Sequence, residues 1–230
     1  MFKILIVEDE VATSRELKEF IMEEIDDVQV DTALNVPEAR ALIDAAREPN
    51  QPYDAVVLDM MLPSKSGLTA TLDESVCHEV RRKLPFQTLV AHITAYEDDG
   101  AVKQHLEKVH GPSEIDLSFR LAKETGKTPA EGGYASQLLD RLKPFLYERR
   151  IEFQLNSLFG GGGVGAGYSG TFRPRPGQST ADRSKTHELA ELTRNIATDW
   201  QYLGLGLKTR IKDILKVVEN DRGEVTVSLF

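Results

Sequence analysis

A doubly wound α/β fold, five parallel strands with helices on both faces plus a small, mostly helical C-terminal module, is predicted by three features of this 230-residue sequence. Short β-branched, apolar runs alternate with segments at helical spacing as far as about residue 155. Acidic or hydroxyl residues stand at the carboxyl ends of those runs. A Gly-, Ser-, Pro- and Arg-rich stretch then separates this region from the last residues. Strands alternating with helices of roughly 10–15 residues make βαβ units, and such units build parallel sheets.

The first run, FKILIV, ends at Glu8 and Asp9, and in VATSRELKEFIMEEI the residues Leu17, Phe20, Ile21 and Ile25 recur at helical spacing. VQVDTA with VPEARALIDAA repeats the unit. YDAVVLD follows, with a helix within residues 68–84, and then TLVAHIT with DGAVKQHLEKV. A fifth strand is predicted in EIDLSFRLAK, where Ile115, Leu117, Phe119 and Leu121 alternate with polar residues. YASQLLDRLKPFLYERRIEFQLNSLF is the closing helix, long enough to run on beyond the domain. Five βα units in residues 1–155 describe the flavodoxin-like order, whose ligands bind beyond the carboxyl ends of the strands at the topological switch point. Glu8, Asp9, Asp59 and Thr94 all stand at such ends.

Residues 156–184, with GGGGVGAGYSGTFRPRPGQSTADRS, read as a flexible linker. No Gly-Lys-Ser/Thr ending or strand-to-helix setting makes that stretch a phosphate loop. Residues 185–230 form the output module, which is small for an independent core.

The formal charge of −9 is unevenly divided. Residues 1–170 carry 18 Lys plus Arg against 29 Asp plus Glu, whereas residues 171–230 carry 10 against 8. The acidic part repels phosphate backbones, so any nucleic-acid contact falls to the C-terminal part. The single cysteine, Cys77, excludes an internal disulfide framework and a cysteine-rich zinc site, suits a reducing compartment, and is expected to pack within a helix. The five histidines show no zinc spacing; His78 reads as a helix residue and His92 as packing within the fourth strand. The N-terminal apolar run is too short for a secretory signal, and no apolar run approaches about 20 residues. A cytoplasmic chain without a membrane partner is the expectation.

Three carboxylates at the ends of two neighbouring strands repel one another and raise each other's proton affinity. A divalent cation removes that conflict, and Mg2+ suits hard oxygen ligands while accepting phosphate oxygens. An aspartate beside it can attack a phosphoryl group, and a hydroxyl or ammonium nearby can steady the added charge. Alone, Glu8 and Asp9 read equally as the start of a helix, and Thr94 as a turn or cap residue.

Glu8-Asp9 after strand one, DMMLPSKSG with Asp59 and Gly67 eight apart, ITA with Thr94, and a lysine after strand five together resemble the receiver domain of bacterial response regulators. The resemblance covers residues 1–155. It implies that Asp59 is the phosphoacceptor, that Glu8, Asp9, Asp59 and the Met61 carbonyl hold Mg2+, and that Thr94 and a lysine read the phosphoryl group. It also implies phosphorylation by a sensor histidine kinase or phosphotransfer protein, with no dedicated enzymatic activity. For the lysine two positions stay open. KPF at Lys143 fits the family motif, whereas the strand alternation ending at Lys123 fits periodicity better, and Lys123 is preferred. Arg120 stands where the family carries an aromatic residue. Met61 and Tyr96, two positions beyond Asp59 and Thr94, either screen a phosphoryl group from water or pack the loops.

In the output module, YLGLGLKTRIKDIL resembles a helix-turn-helix: a helix ending near Leu203, a turn at Gly204 to Gly206, and a helix from Leu207 presenting Lys208, Thr209, Arg210 and Lys212. GEVTVSLF would be a wing strand. The rival is a helical adaptor with Trp200, Leu203, Leu205 and Ile211 packed inside, since residues 185–230 carry seven basic and seven acidic side chains. Control of DNA binding and transcription by Asp59 phosphorylation, and a receiver-like scaffold acting through protein contacts, are therefore the two functional readings. Homodimerisation stays open. A hydrolase of related topology is disfavoured by Met61, which stands where a second catalytic aspartate would be needed.

Overall fold

The structure, a computed structural model, describes residues 1–46, 52–73, 75–84, 88–95, 100, 104, 118–123, 127–131, 133–159 and 180–229. They divide into two compact units, Met1–Leu142 and Lys143–Phe230.

The first unit begins with β1 (Phe2–Val7), α1 (Val11–Glu24), β2 (Val28–Ala33) and α2 (Val36–Ala45). It continues with β3 (Ala55–Asp59), a short antiparallel ribbon of β4 (Met61–Leu62) and β5 (Thr71–Leu72), and α3 (Ser75–Lys83). β6 (Leu89–Thr94) and β7 (Ser118–Ala122) complete the sheet, and α4 (Tyr134–Phe159) follows. The five-stranded sheet has the order β2-β1-β3-β6-β7 with every pairing parallel, which is the flavodoxin-like arrangement. Every residue of β3 and β6 is buried, and this explains why both read as continuous apolar runs rather than alternating ones.

On one face, Val36, Ala39 and Ile43 of α2 and Val76, Cys77 and Val80 of α3 join Leu5, Val56, Leu58 and Val90 of the sheet in one apolar cluster. Leu17 and Ile21 are the buried stripe of α1. Cys77 is buried, His78 is exposed on α3, and His92 is fully buried within β6. The α2 start is set locally: Asn35 Oδ1 accepts from Glu38 N at 3.0 Å, and Glu38 Oε2 accepts from Leu34 N at 2.9 Å, a reciprocal cap. Asn35→Ala is expected to cost about 1 kcal/mol, read as a lower urea midpoint with unchanged slope.

The helix expected within residues 68–84 is α3, and before it Thr71 and Leu72 turn back to pair with Leu62 and Met61. Three expectations differ from the structure. The expected division at residue 155 and linker from 156 are displaced: α4 runs unbroken to Phe159, α5 (Thr180–Asp199) starts before 185, and the compact units meet at Leu142 and Lys143. The cause is packing, since Ile151 and Leu155 of α4 belong to the core of the second unit. That division falls beside Pro144, an interior proline that deletes one helical hydrogen bond. In the C-terminal module α6 (Leu205–Ile214) starts at Leu205 with Gly204 as its N-cap, not at Leu207. Leu205 is 82 % exposed rather than packed inside. Residues 160–179, Glu114 to Leu117 of the expected fifth strand, and nearly all of DGAVKQHLEKV lie outside the described residues.

The second unit surrounds Ile151, Leu155, Leu192, Ile196, Trp200, Leu203, Leu207, Ile211 and Leu215. A 3-10 turn (Trp200–Tyr202) joins α5 to α6, and β8 (Lys216–Glu219) pairs antiparallel with β9 (Val225–Ser228). Val217, Val225 and Val227 cover the core from that hairpin. No described helix is long and apolar enough to cross a membrane.

Candidate functional site

β1 and β3 are neighbours in register, Val7 opposite Leu58. The residues that leave these strands at their carboxyl ends, Glu8 and Asp9 from one and Asp59 from the other, are therefore brought together. One carboxylate oxygen from each lies within 4.8 Å of the others. Glu8 and Asp59 are buried and Asp9 is more open. The N-cap of α1 is Glu10, and its N–H donates to Glu8 Oε1 at 3.4 Å, so Glu8 and Asp9 stand just before the helix as well as at the strand end.

Lys123 completes the cluster. It follows β7 directly, and its backbone N–H donates to the Thr94 carbonyl at 2.7 Å, continuing the β6–β7 register. Its Nζ lies 2.5 Å from Glu8 Oε2 and also donates to Asp59 Oδ2. Lys143 lies inside α4. Thr94 is fully buried and ends β6 one residue past Ile93, the partner of Asp59.

The electrostatics follow from burial. Desolvation, then the neighbouring Asp59 charge, raises the Glu8 pKa from 4.5 to about 7, against the opposing pull of Lys123. Burial and Asp59 raise Asp9 as well. Burial would lower Lys123, but attraction to Asp59 and Glu8 outweighs it and holds the ammonium above its ordinary range. Folded Glu8 thus keeps its proton to about pH 7, while the unfolded chain releases it near 4.5. Between these values the folded state binds more protons, so stability falls as pH rises through that window. A loss of order 1–3 kcal/mol is expected, measurable by urea unfolding at pH 5 and pH 7.5.

The ribbon after Asp59 shapes the remaining edge. Asp73 N donates to the Met60 carbonyl at 3.0 Å, which makes Met61 and Leu72 a non-hydrogen-bonded pair whose own N–H and C=O groups turn away from the partner strand. The Met61 N–H accordingly reaches Asp59 Oδ1 at 2.9 Å, and its carbonyl lies on that same side of the ribbon. The three carboxylates offer oxygen donors within 4.8 Å of one another, a set that fits a small hard cation. Tyr96 lies outside the described residues.

Two features escaped the sequence reading. One is the ribbon, whose local signal is only the β-branched Thr69 and Thr71 after Gly67. The other is Tyr134, buried at the start of α4, whose hydroxyl pKa is raised by burial and by the charges of Glu8, Glu16, Asp59 and Glu10. It lies eleven positions beyond Lys123 and outside any motif.

The match to a family model agrees with this placement of the acids. Residues 4–110 match the family described as the response regulator receiver domain; Glu8, Asp9, Asp59 and Thr94 lie within the match and Lys123 beyond it. No curated protein matches the chain at a significant level. Among solved structures, a CheY-like receiver domain protein from Methanospirillum hungatei aligns at 18 % identity and TM-score 0.47, over 66 % of this chain and 98 % of that one. A two-component response regulator from Clostridium difficile aligns at 20 % and 0.45, over 66 % and 98 %. The response regulator TrrA from Thermotoga maritima, in complex with Mg2+-BeF, aligns at 26 % and 0.39, over 60 % and 99 %. With the matched segment, the sheet order and the strand-end acids in one place, residues 4–110 of the first unit are similar to the response regulator receiver domain family, and the strand order and acids support a receiver domain there.

Proposed function

We propose that the chain is a phosphorelay response regulator in which Asp59 accepts a phosphoryl group from a histidine kinase or phosphotransfer protein, and that this modification controls an output made by residues 185–230. The observation that carries the reading is the convergence of Glu8, Asp9, Asp59 and the Lys123 ammonium at adjoining strand ends in a unit similar to the receiver family. Glu8, Asp9, Asp59 and the Met61 carbonyl would hold Mg2+, which when bound offsets carboxylate repulsion and phosphate charge.

In the transfer an Asp59 carboxylate oxygen attacks phosphorus, a P–O bond forms, and the P–N bond of a donor phosphohistidine breaks, its electron pair leaving with the imidazole nitrogen. Lys123, already charged and held at Asp59, exchanges its carboxylate contact for a phosphoryl oxygen. The Thr94 hydroxyl serves as a further donor. The new charge biases an existing conformational equilibrium. Such a unit is a phosphoacceptor and not a dedicated enzyme. Incubation with acetyl phosphate and Mg2+ should add one phosphoryl group, an addition prevented by chelating Mg2+ before the donor is supplied; absence of any acid-stable, hydroxylamine-labile label would sink the reading.

For the output, the geometry of the second unit favours protein interaction. Lys208 and Lys212 place Nζ 5.4 and 5.5 Å from the Trp200 ring centroid, Arg210 donates to Asn156 Oδ1 at 2.7 Å, and Thr209 Oγ1 donates to the Leu205 carbonyl at 2.9 Å. The four side chains that would read a groove are engaged within the unit. DNA binding is the second reading, supported by the order helix, turn, helix, β-hairpin. Phosphorylated full-length protein should show no retention of duplex DNA even at low salt. Salt-dependent binding lost in Arg210→Ala would instead establish the DNA reading.

A further inference from the structure

The β4–β5 ribbon leaves the sheet immediately after Asp59 and is anchored at three places. Its entry is tied to the sheet, where Met60 N donates to the Ile93 carbonyl at 3.3 Å and the fully buried Met60 side chain packs against Leu72. Its middle is tied to α2, where Val36 N donates to the Pro63 carbonyl at 3.2 Å. Its exit is tied to α3 through the Asp73 carboxylate, which accepts from Val76 N at 3.0 Å and from Ser75 Oγ at 2.9 Å. The tip is exposed and turns at Gly67, whose φ of 80° is open to glycine at little cost. The constraint thus resides in the stem.

We infer that this ribbon is the positioning element of the acidic site, with Leu72 and Asp73 as positioning residues: it keeps the Met61 N–H on Asp59 and the Met61 carbonyl available to a divalent cation before any cation arrives. The inference rests on the cation reading given under Proposed function. A free loop would have to order the Met61 backbone when the cation binds, and that entropy would be taken from the affinity. In this chain the ordering is completed on folding. The ligand carbonyl is held by its backbone neighbours, as metal ligands elsewhere are held by the groups behind them.

The test uses full-length protein, Mg2+ titration by calorimetry, and amide exchange of Met61 in cation-free buffer. Leu72→Ala should raise the Mg2+ dissociation constant about tenfold and speed Met61 exchange by a similar factor, while Leu72→Ile stays near wild type. Leu42→Ala, which removes a partly buried side chain from α2, should lower stability yet leave Mg2+ affinity unchanged. So should Lys65→Ala at the tip, without the loss of stability. If Leu72→Ala does not fold, Thr71→Pro serves, since Thr71 is exposed and the pair alternation assigns its N–H to the Leu62 carbonyl. Wild-type Mg2+ affinity and Met61 exchange in these ribbon variants would overturn the inference, as would an equal loss of affinity in Leu42→Ala. A wild-type protein that binds no Mg2+ would refute the cation reading itself, and Met61 exchange would still decide whether the ribbon holds the loop.

Discussion

Asp59→Asn is expected to abolish labelling by acetyl phosphate in Mg2+ while leaving the protein folded. The amide nitrogen is not a nucleophile toward phosphorus, and the substitution removes one of three charges from the cation site. The fold survives because the Asn amide oxygen can still accept the Met61 N–H that Asp59 Oδ1 accepts at 2.9 Å. A second consequence separates a site effect from general damage. Part of the raised proton affinity of Glu8 comes from the Asp59 charge, so the window over which stability falls with pH should move to lower pH in the variant. Labelling equal to wild type would show that the phosphoryl group goes elsewhere. An unmoved pH window would show that the two carboxylates do not sense each other.

Lys123→Ala should be the most destabilising single change at the site. The ammonium is 15 % exposed and bridges two carboxylates that are 1 % and 7 % exposed. Removing one member of a buried pair leaves uncompensated charge and costs about 3–5 kcal/mol. The cost has a direction in pH. Without the ammonium, which opposes the rise in Glu8, folded Glu8 holds its proton still more tightly than the unfolded chain does, so the loss is smallest near pH 5 and grows toward pH 8. Mg2+ should recover much of it, and should bind the variant on the order of tenfold more tightly because it no longer competes with a resident cation. Urea unfolding at both pH values, with and without Mg2+, reads all of this. A uniform loss at every pH, unaffected by Mg2+, would mean that Lys123 contributes only the packing of its aliphatic stem.

The legibility of this chain divides by the range of the interactions involved. β1, β3 and β6 were readable because each is buried on both faces and so must be a short, continuous apolar run. α1 and α2 were readable because one face packs on the sheet and the other does not. Where a strand of this kind stops, the next residue faces the crevice, and Glu8, Asp9 and Asp59 could be placed from sequence for that reason alone.

Other features depend on pairings that leave little local trace. The ribbon strands are two residues each, too short for periodicity to register, and Thr71 and Leu72 are strand only because Met61 and Leu62 are opposite them. The division of the chain inside α4 depends on where Ile151 and Leu155 find buried apolar partners in the second unit, the first of which, Leu192, lies 41 and 37 positions later. Leu205 looked like a core residue by composition, yet α6 turns Leu207 and Ile211 inward and leaves it in solvent. Lys123 and Lys143 each carried a local argument, and the β6–β7 register placed the first beside Asp59. From its periodicity and strand-end acids, the sequence by itself determined a parallel sheet with an acidic crevice. Which lysine enters that crevice and what holds its loop were decided by folding, because contacts between distant segments are set by register and burial, and neither is a property of a short stretch of chain.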